Sequence, residues 1–158
     1  MSPSPSAPLG TLVDTVSTWS PGRGAADETF TYIDLSAVDQ DWKAITAPRL
    51  IVGRDAPSRA RQLVRADDVL VSTVRPNLNA VARVPVEMGG ATASTGFCVL
   101  RPRPDRLDAG YLFHWVRSPR FVREMTNVAT GASYPAVSDR IVLGSQVPLP
   151  SLAEQRRI

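Results

Sequence analysis

Arg75-Pro76-Asn77-Leu78-Asn79 puts an arginine and two asparagines on a five-residue segment stiffened by proline. Proline fixes φ and asparagine tolerates left-handed geometry, so the segment reads as a turn. It is also a set of hydrogen-bond donors on a short, stiff loop. A turn accounts for Pro76 and one Asn but does not require Arg75, which points to a contact role. A second segment, Ala129-Thr130-Gly131-Ala132-Ser133-Tyr134-Pro135, is built of small residues and ends in an aromatic. Such a loop lets a backbone come close to a ligand, although Gly131 and Pro135 would equally make a plain tight turn.

Other chemistries lack their parts. One histidine, one cysteine and scattered carboxylates do not assemble a metal cluster. No Gly-rich loop between a strand and a helix is present to cradle a nucleotide or S-adenosylmethionine, so no cofactor is expected. His114 lies beside the apolar face of a predicted helix and reads as a packing residue, which leaves no Ser-His-Asp triad. A minimal Mg²⁺ nuclease grammar survives in Asp41-Trp42-Lys43 with Asp27 or Asp34 upstream, where carboxylates would hold the ion and Lys43 would polarise water. Chance matches to three residues are common, and Ser36 to Lys43 is polar and turn-like rather than strand-like.

The elements that must position these loops follow from periodicity and punctuation. Val69 to Val74 and Ala80 to Val86 are two apolar runs joined by the Arg75–Asn79 turn and launched by Asp67-Asp68, a hairpin. Thr29 to Leu35 alternates as a strand. Ser36 to Trp42 reads as a short helix or turn capped by Ser36. Ile45 to Val52 is a strand interrupted at Pro48, which confines it to an edge. Arg54 to Arg65 suits an exposed connection, and Gly96 to Leu100 is a further strand. Asp108 caps a helix with Leu112, Trp115 and Val116 on one face. Ser118-Pro119 ends that helix and starts another, running to about Asn127. Ala136 to Leu143 and a closing strand, Ser145 to Leu149, complete the body. The fold class is α+β, a twisted and mostly antiparallel sheet with a packed helical pair.

Composition agrees with one domain of 158 residues, 43% hydrophobic, large enough for a core without disulfides. Cys98 sits in an apolar run and reads as a buried small hydrophobe in a reducing compartment. Residues 1–8 are a Ser/Pro tail, expected to be disordered, with neither a basic start nor an apolar stretch to make a signal peptide. No window approaches a membrane span, so the expected localisation is cytoplasmic. Seventeen of the 18 basic residues are arginine. Arginine suits phosphates and guanine edges, and GC-rich coding gives the same bias.

The chain closes on Pro148-Leu149-Pro150-Ser151-Leu152-Ala153-Glu154-Gln155-Arg156-Arg157-Ile158. The prolines make an extended approach, and Ser151 with Glu154 fits a capping box that starts a helix at Leu152. Only seven residues follow the cap, too few for a helix to stand alone. The expectation is a domain at 9–147, followed by a linker and the start of a longer, truncated helix at 148–158.

This ending resembles the junction at which the target recognition domain of type I restriction-modification specificity subunits enters its long helix. Further segments are similar in order: Leu9-Gly10-Thr11-Leu12-Val13, Tyr32-Ile33-Asp34-Leu35, Asp68 to Thr73 with Arg75-Pro76, Thr95 to Pro102, Tyr111 to Phe121, and Ala129 to Ser138. Asp67 stands where the family usually has Gly, and one recognition domain is present where the family typically has two.

The resemblance implies a non-catalytic reader of one half of a split double-stranded DNA target. Arg75 would read guanine, Asn77 and Asn79 adenine, and Ser133 with Tyr134 would make a second base contact. Arg23, Arg54, Arg59, Arg61 and Arg65 would hold phosphates. Glu154, Gln155, Arg156, Arg157 and Ile158 would open the helix that meets partners. Those partners would be the methyltransferase (M) and restriction (R) subunits, with self-association if the helix extends. The recognition domain of a single-chain restriction and methyltransferase enzyme, and a protein-interaction module that does not bind DNA, stay open as alternatives.

Overall fold

A computed structural model describes residues 5–158 of the chain. The strands are β1 (Ser6–Pro8), β2 (Val13–Asp14), β3 (Thr29–Ile33), β4 (Val38–Asp39), β5 (Ala44–Ile45), β6 (Arg49–Val52), β7 (Ala60–Leu63), β8 (Val69–Ser72), β9 (Val81–Arg83), β10 (Thr92–Ser94), β11 (Phe97–Pro102) and β12 (Gln146–Pro148). The helices are α1 (Pro21–Gly24), α2 (Ala109–Arg117), α3 (Pro119–Val128), α4 (Asp139–Leu143) and α5 (Leu152–Arg156).

Side-chain alternation builds the layers. Along β8, Val69 and Val71 enter one core and Leu70 the other; along β11, Cys98 and Leu100 oppose Phe97 and Val99 in the same way. The sheet β2-β11-β8-β9 is therefore buried on both faces, which is why β8 reads as an unbroken apolar run. One face packs on α2, α3 and α4 through Leu112, Trp115, Val116, Phe121 and Val142. The other meets the second sheet, β6-β3-β10-β7, through Ile33, Val64, Ala93 and Phe97. Buried Gln62 stitches the two sheets together, its amide donating to the carbonyls of Ser94 at 2.8 Å and Phe97 at 2.9 Å.

The mostly antiparallel character and the helical pair are as the sequence predicts. Asp108 accepts from the Tyr111 N–H at 3.0 Å and Ser118 from the Phe121 N–H at 3.2 Å, so both expected caps are made. Four expectations are corrected. The strands divide into two four-stranded and two two-stranded sheets, and β3 runs parallel to β10, because Thr92 to Ser94 is a short strand with no alternation to announce it. Ser36 is no cap: Asp34 accepts from the Leu35 N–H at 2.8 Å, and Val38 to Ile45 forms the β4–β5 hairpin. The Arg54–Arg65 connection contains β7, whose Ala60 and Gln62 are buried. His114 is exposed on α2 rather than packed, since the buried face turns through Tyr111, Leu112, Trp115 and Val116.

The Ser/Pro tail also differs from expectation. Ser6–Pro8 pairs antiparallel with Gln146–Pro148, while residues 1–4 lie outside the described residues. The expected Ile45–Val52 strand is divided: Ile45 ends β5, which pairs with β4, and β6 begins after Pro48 at the edge of a different sheet.

Candidate nucleic-acid interface

The hairpin β8–β9 presents its connecting loop at one end of the molecule. Arg75 and Asn79 both stand in left-handed backbone, at φ 49 and φ 52, flanking a 3-10 turn over Pro76–Leu78. Buried Pro76 anchors the turn. For an arginine, left-handed backbone is uncommon and needs support from its surroundings. The Arg75 N–H donates to the Pro135 carbonyl, and Thr73 and Val74 pair with Val137 and Ala136. The 129–135 segment is thereby drawn against the hairpin loop.

That juxtaposition sets the Arg75 guanidinium over the Tyr134 ring, 4.5 Å from its centroid. An arginine held against an aromatic ring can still offer its planar N–H fork to a ligand. Gly131, at φ 100, makes the approach possible: a Cβ there would stand 2.7 Å from the Tyr134 carbonyl oxygen. Arg75, Asn77, Ser133 and Tyr134 are all exposed. A cleft of about 310 Å³ opens beside them, lined by Leu35, Gln40, Ser72, Arg75, Leu78 and Tyr134 among others.

Asn79 is the exception among the five predicted base contacts. Its side chain is buried, and its amide donates to the Val116 carbonyl at the end of α2 at 2.9 Å. It locks the loop to the helical layer and is not free to read a base. Sequence spacing could not separate the two asparagines, because only the packing of α2 under the loop distinguishes them.

The nuclease grammar is not assembled. The Lys43 ammonium donates to the Asn79 carbonyl at 2.7 Å, Asp34 serves the Leu35 N–H and the Tyr32 hydroxyl, and Asp27 pairs with Arg54. Among the described residues no group of three or more His, Cys, Asp or Glu side chains could hold a metal ion. Burial lowers the Lys43 pKa, with the Asp41 charge opposing and the Arg117 charge assisting.

The five predicted phosphate arginines are all exposed, but the structure separates them. Arg59 is at the same end as the Arg75 loop, its carbonyl accepting from the Thr95 N–H beside Gly96. Arg61 projects from edge strand β7. Arg23 and Arg54 belong to the opposite end of β3 and β6, where α1 meets the Gly53 turn. Gly53 permits that approach, since a Cβ would meet the Ala25 carbonyl oxygen at 2.0 Å. Arg65 borders a second cleft of about 310 Å³ together with Asp67, Arg83, Arg101, Leu152 and Arg156.

At that end lies α5. The Ser151 hydroxyl accepts from the Glu154 N–H and meets the Glu154 carboxylate at 3.2 Å. Glu154, Arg156, Arg157 and Ile158 are exposed, whereas Gln155 is buried. Gln155 faces the domain and is not part of an outward face. No helix among the described residues is long and apolar enough to cross a membrane.

Two solved structures resemble this chain over nearly its whole length. One is the HsdS subunit from Thermoanaerobacter tengcongensis, 38% identical, with a TM-score of 0.89 over 97% of this chain and 39% of that one. The other comes from work on the complex assembly and conformational transition of the type I R-M system; it is 38% identical, with a TM-score of 0.91 over 99% of this chain and 40% of that one. The chain thus spans about two-fifths of the length of the relatives it matches. No protein-family model and no curated relative matches it.

Proposed function

We propose, for a chain that belongs with the specificity subunits of type I restriction-modification systems, that it reads one half of a bipartite double-stranded DNA target. The observation that carries this reading is the exposed Arg75 guanidinium, held from a left-handed backbone against Tyr134. A guanidinium fixed in this way meets guanine O6 and N7 with little rotamer freedom left to lose.

Asn77 takes an adenine edge, and the Ser133 hydroxyl makes a further base contact from the facing loop. Asn79 supports the loop from beneath. Arg59 and Arg61, on the same side of the molecule, hold phosphates and position the domain without selecting sequence. The role is non-catalytic. Methylation and cleavage would fall to the methyltransferase and restriction subunits, met through a helix that begins at α5 with Glu154, Arg156, Arg157 and Ile158 outward.

The test is selection of bound sequences from a random duplex pool, with this chain and with a whole specificity subunit containing it. The expected result is one preferred half-site with a guanine whose selection disappears in Arg75→Ala. Recovery of no motif at low salt from either protein overturns the reading.

A further inference from the structure

Trp42 is 81% exposed, an unusual position for a residue that is highly buried on average. The other two tryptophans are tied to the body, Trp19 donating to the Thr92 hydroxyl at 3.0 Å and Trp115 to the Ser145 hydroxyl at 3.2 Å. Trp42 stands on a braced turn between β4 and β5. The Asp39 carboxylate accepts from the N–H groups of Asp41 and Trp42, each at 2.9 Å. The Lys43 N–H donates to the Asp39 carbonyl at 2.8 Å from a left-handed backbone, φ 54. Thr46 and Ala47 both donate to the Ala37 carbonyl and close the base of the hairpin. The backbone that carries the indole is therefore fixed.

The turn is also fastened to the base-reading loop. Lys43 reaches the Asn79 carbonyl at 2.7 Å, so the residue after Trp42 grips the last residue of the Arg75–Asn79 segment. Leu78, 40% exposed, lies on that segment, and the Arg117 charge is close enough to act on Lys43. An exposed indole, an exposed leucine and a cation thus adjoin the donors of Arg75 and Asn77. The position is continuous with the proposed DNA surface and at the other end of the molecule from α5, where a protein partner is expected.

We propose that Trp42 is a second DNA-contacting finger, whose indole packs on apolar parts of the duplex beside the base read by Arg75. The ligand chemistry is an apolar surface within a polyanion: a thymine C5-methyl group or a deoxyribose ring. It complements the polar readout of the neighbouring loop, because arginine and asparagine offer no apolar face of this size. The inference rests on the DNA-reading function proposed above.

Because Trp19 and Trp115 are tied to the body, acrylamide quenching of intrinsic fluorescence reports chiefly on Trp42. Saturation of this chain, or of a whole subunit containing it, with the selected duplex should protect the quenchable emission. Trp42→Ala should remove that protection and weaken binding about fivefold or more, as loss of a contacting aromatic does, with Trp42→Phe recovering most of the affinity. Replacing thymine by deoxyuridine along the half-site separates the two contacts. A loss at one position that vanishes in Trp42→Ala marks the methyl group, and no loss at any position marks the sugar.

Unchanged quenching in a saturated complex, or wild-type affinity in Trp42→Ala where Arg75→Ala has lost base selection, overturns the Trp42 contact and leaves DNA reading intact. Protection by the methyltransferase subunit without DNA overturns it in favour of a protein contact. Absence of binding to any duplex overturns both proposals.

Discussion

The side-chain oxygen of Gln155 accepts the backbone N–H of Asp108 at 2.8 Å. Its amide nitrogen donates to the carbonyls of Arg106 at 3.1 Å and Pro150 at 2.9 Å. One buried glutamine therefore fastens the first turn of α5 to the residue that caps α2. The Tyr111 hydroxyl adds a bond to the Pro148 carbonyl at 2.5 Å. The placement of α5 against the body is set by these contacts and not by the short helix itself.

Gln155→Leu should accordingly destabilise the protein by about 1–3 kcal/mol for each buried backbone group it leaves unpaired. At this chain length a loss of about 1 kcal/mol lowers Tm by roughly 2–4 °C. Thermal unfolding gives the magnitude, and amide exchange should show faster opening at α5 than in β8 or β11. A wild-type Tm with α5 still protected would contradict the fastening role.

Base selection should depend on the geometry around Arg75 as well as on its charge. Arg75→Ala should cost about 1–3 kcal/mol at one base position and leave the others unchanged. Arg75→Lys keeps the charge but loses the planar fork, so it should lose most of that discrimination. Gly131→Ala should weaken the same position, because its new Cβ pushes on the backbone of Tyr134, whose ring lies under the guanidinium. Arg59→Ala should weaken all duplexes alike and reduce the magnitude of the salt slope by about one unit. Titrations of matched and single-mismatch duplexes at several salt concentrations would separate the two patterns.

Asp68 and Arg101 form a two-bonded ion pair, Nε to Oδ1 at 2.9 Å and Nη2 to Oδ2 at 2.8 Å, with the Asp68 side chain only 1% exposed. The same carboxylate accepts the Arg65 N–H at 2.8 Å. Arg101→Met should destabilise by about 3–5 kcal/mol, since it strands a buried carboxylate. Arg83→Met, which breaks the exposed pair with Asp67, should cost less than about 1 kcal/mol. Urea unfolding of both variants measures the contrast, and equal losses would refute the burial argument.

Burial, reinforced by the neighbouring Asp139 carboxyl, pushes the Cys98 thiol well above its usual range. The thiolate is the reactive form, so Cys98 should resist alkylation in the native state and react fully once unfolded. With a single cysteine in the chain, mass spectrometry after iodoacetamide treatment reads this directly. Rapid native labelling at neutral pH would show that the β8–β11 layer opens.

Local chemistry made much of the scaffold legible. Asp108 and Ser118 announce their helices because a cap needs only its own side chain and the next turn. The Asp67-Asp68 turn, with Asp67 at φ 72, and the paired apolar runs announce the β8–β9 hairpin. Ser151 and Glu154 announce α5 by the same short-range logic, and Arg75 is legible as a donor that a bare turn does not need.

What tertiary structure decided is which polar groups were left free. Asn77 and Asn79 are alike in sequence, but α2 packs beneath the loop and takes the amide of Asn79 for the Val116 carbonyl. Gln155 sits in a run of polar residues, yet the loop before α2 presents it with the Arg106 carbonyl and the Asp108 N–H. Lys43, which spacing offers to a metal site, is drawn to Asn79 by a hairpin that no periodicity reveals, and Trp42 is left outside. Capping, turns and alternation act within a few residues and can be read along the chain. Whether a side chain is spent on the fold or available to a ligand depends on groups brought near it from dozens of residues away, and that is settled only when the two sheets and the helical layer close on one another.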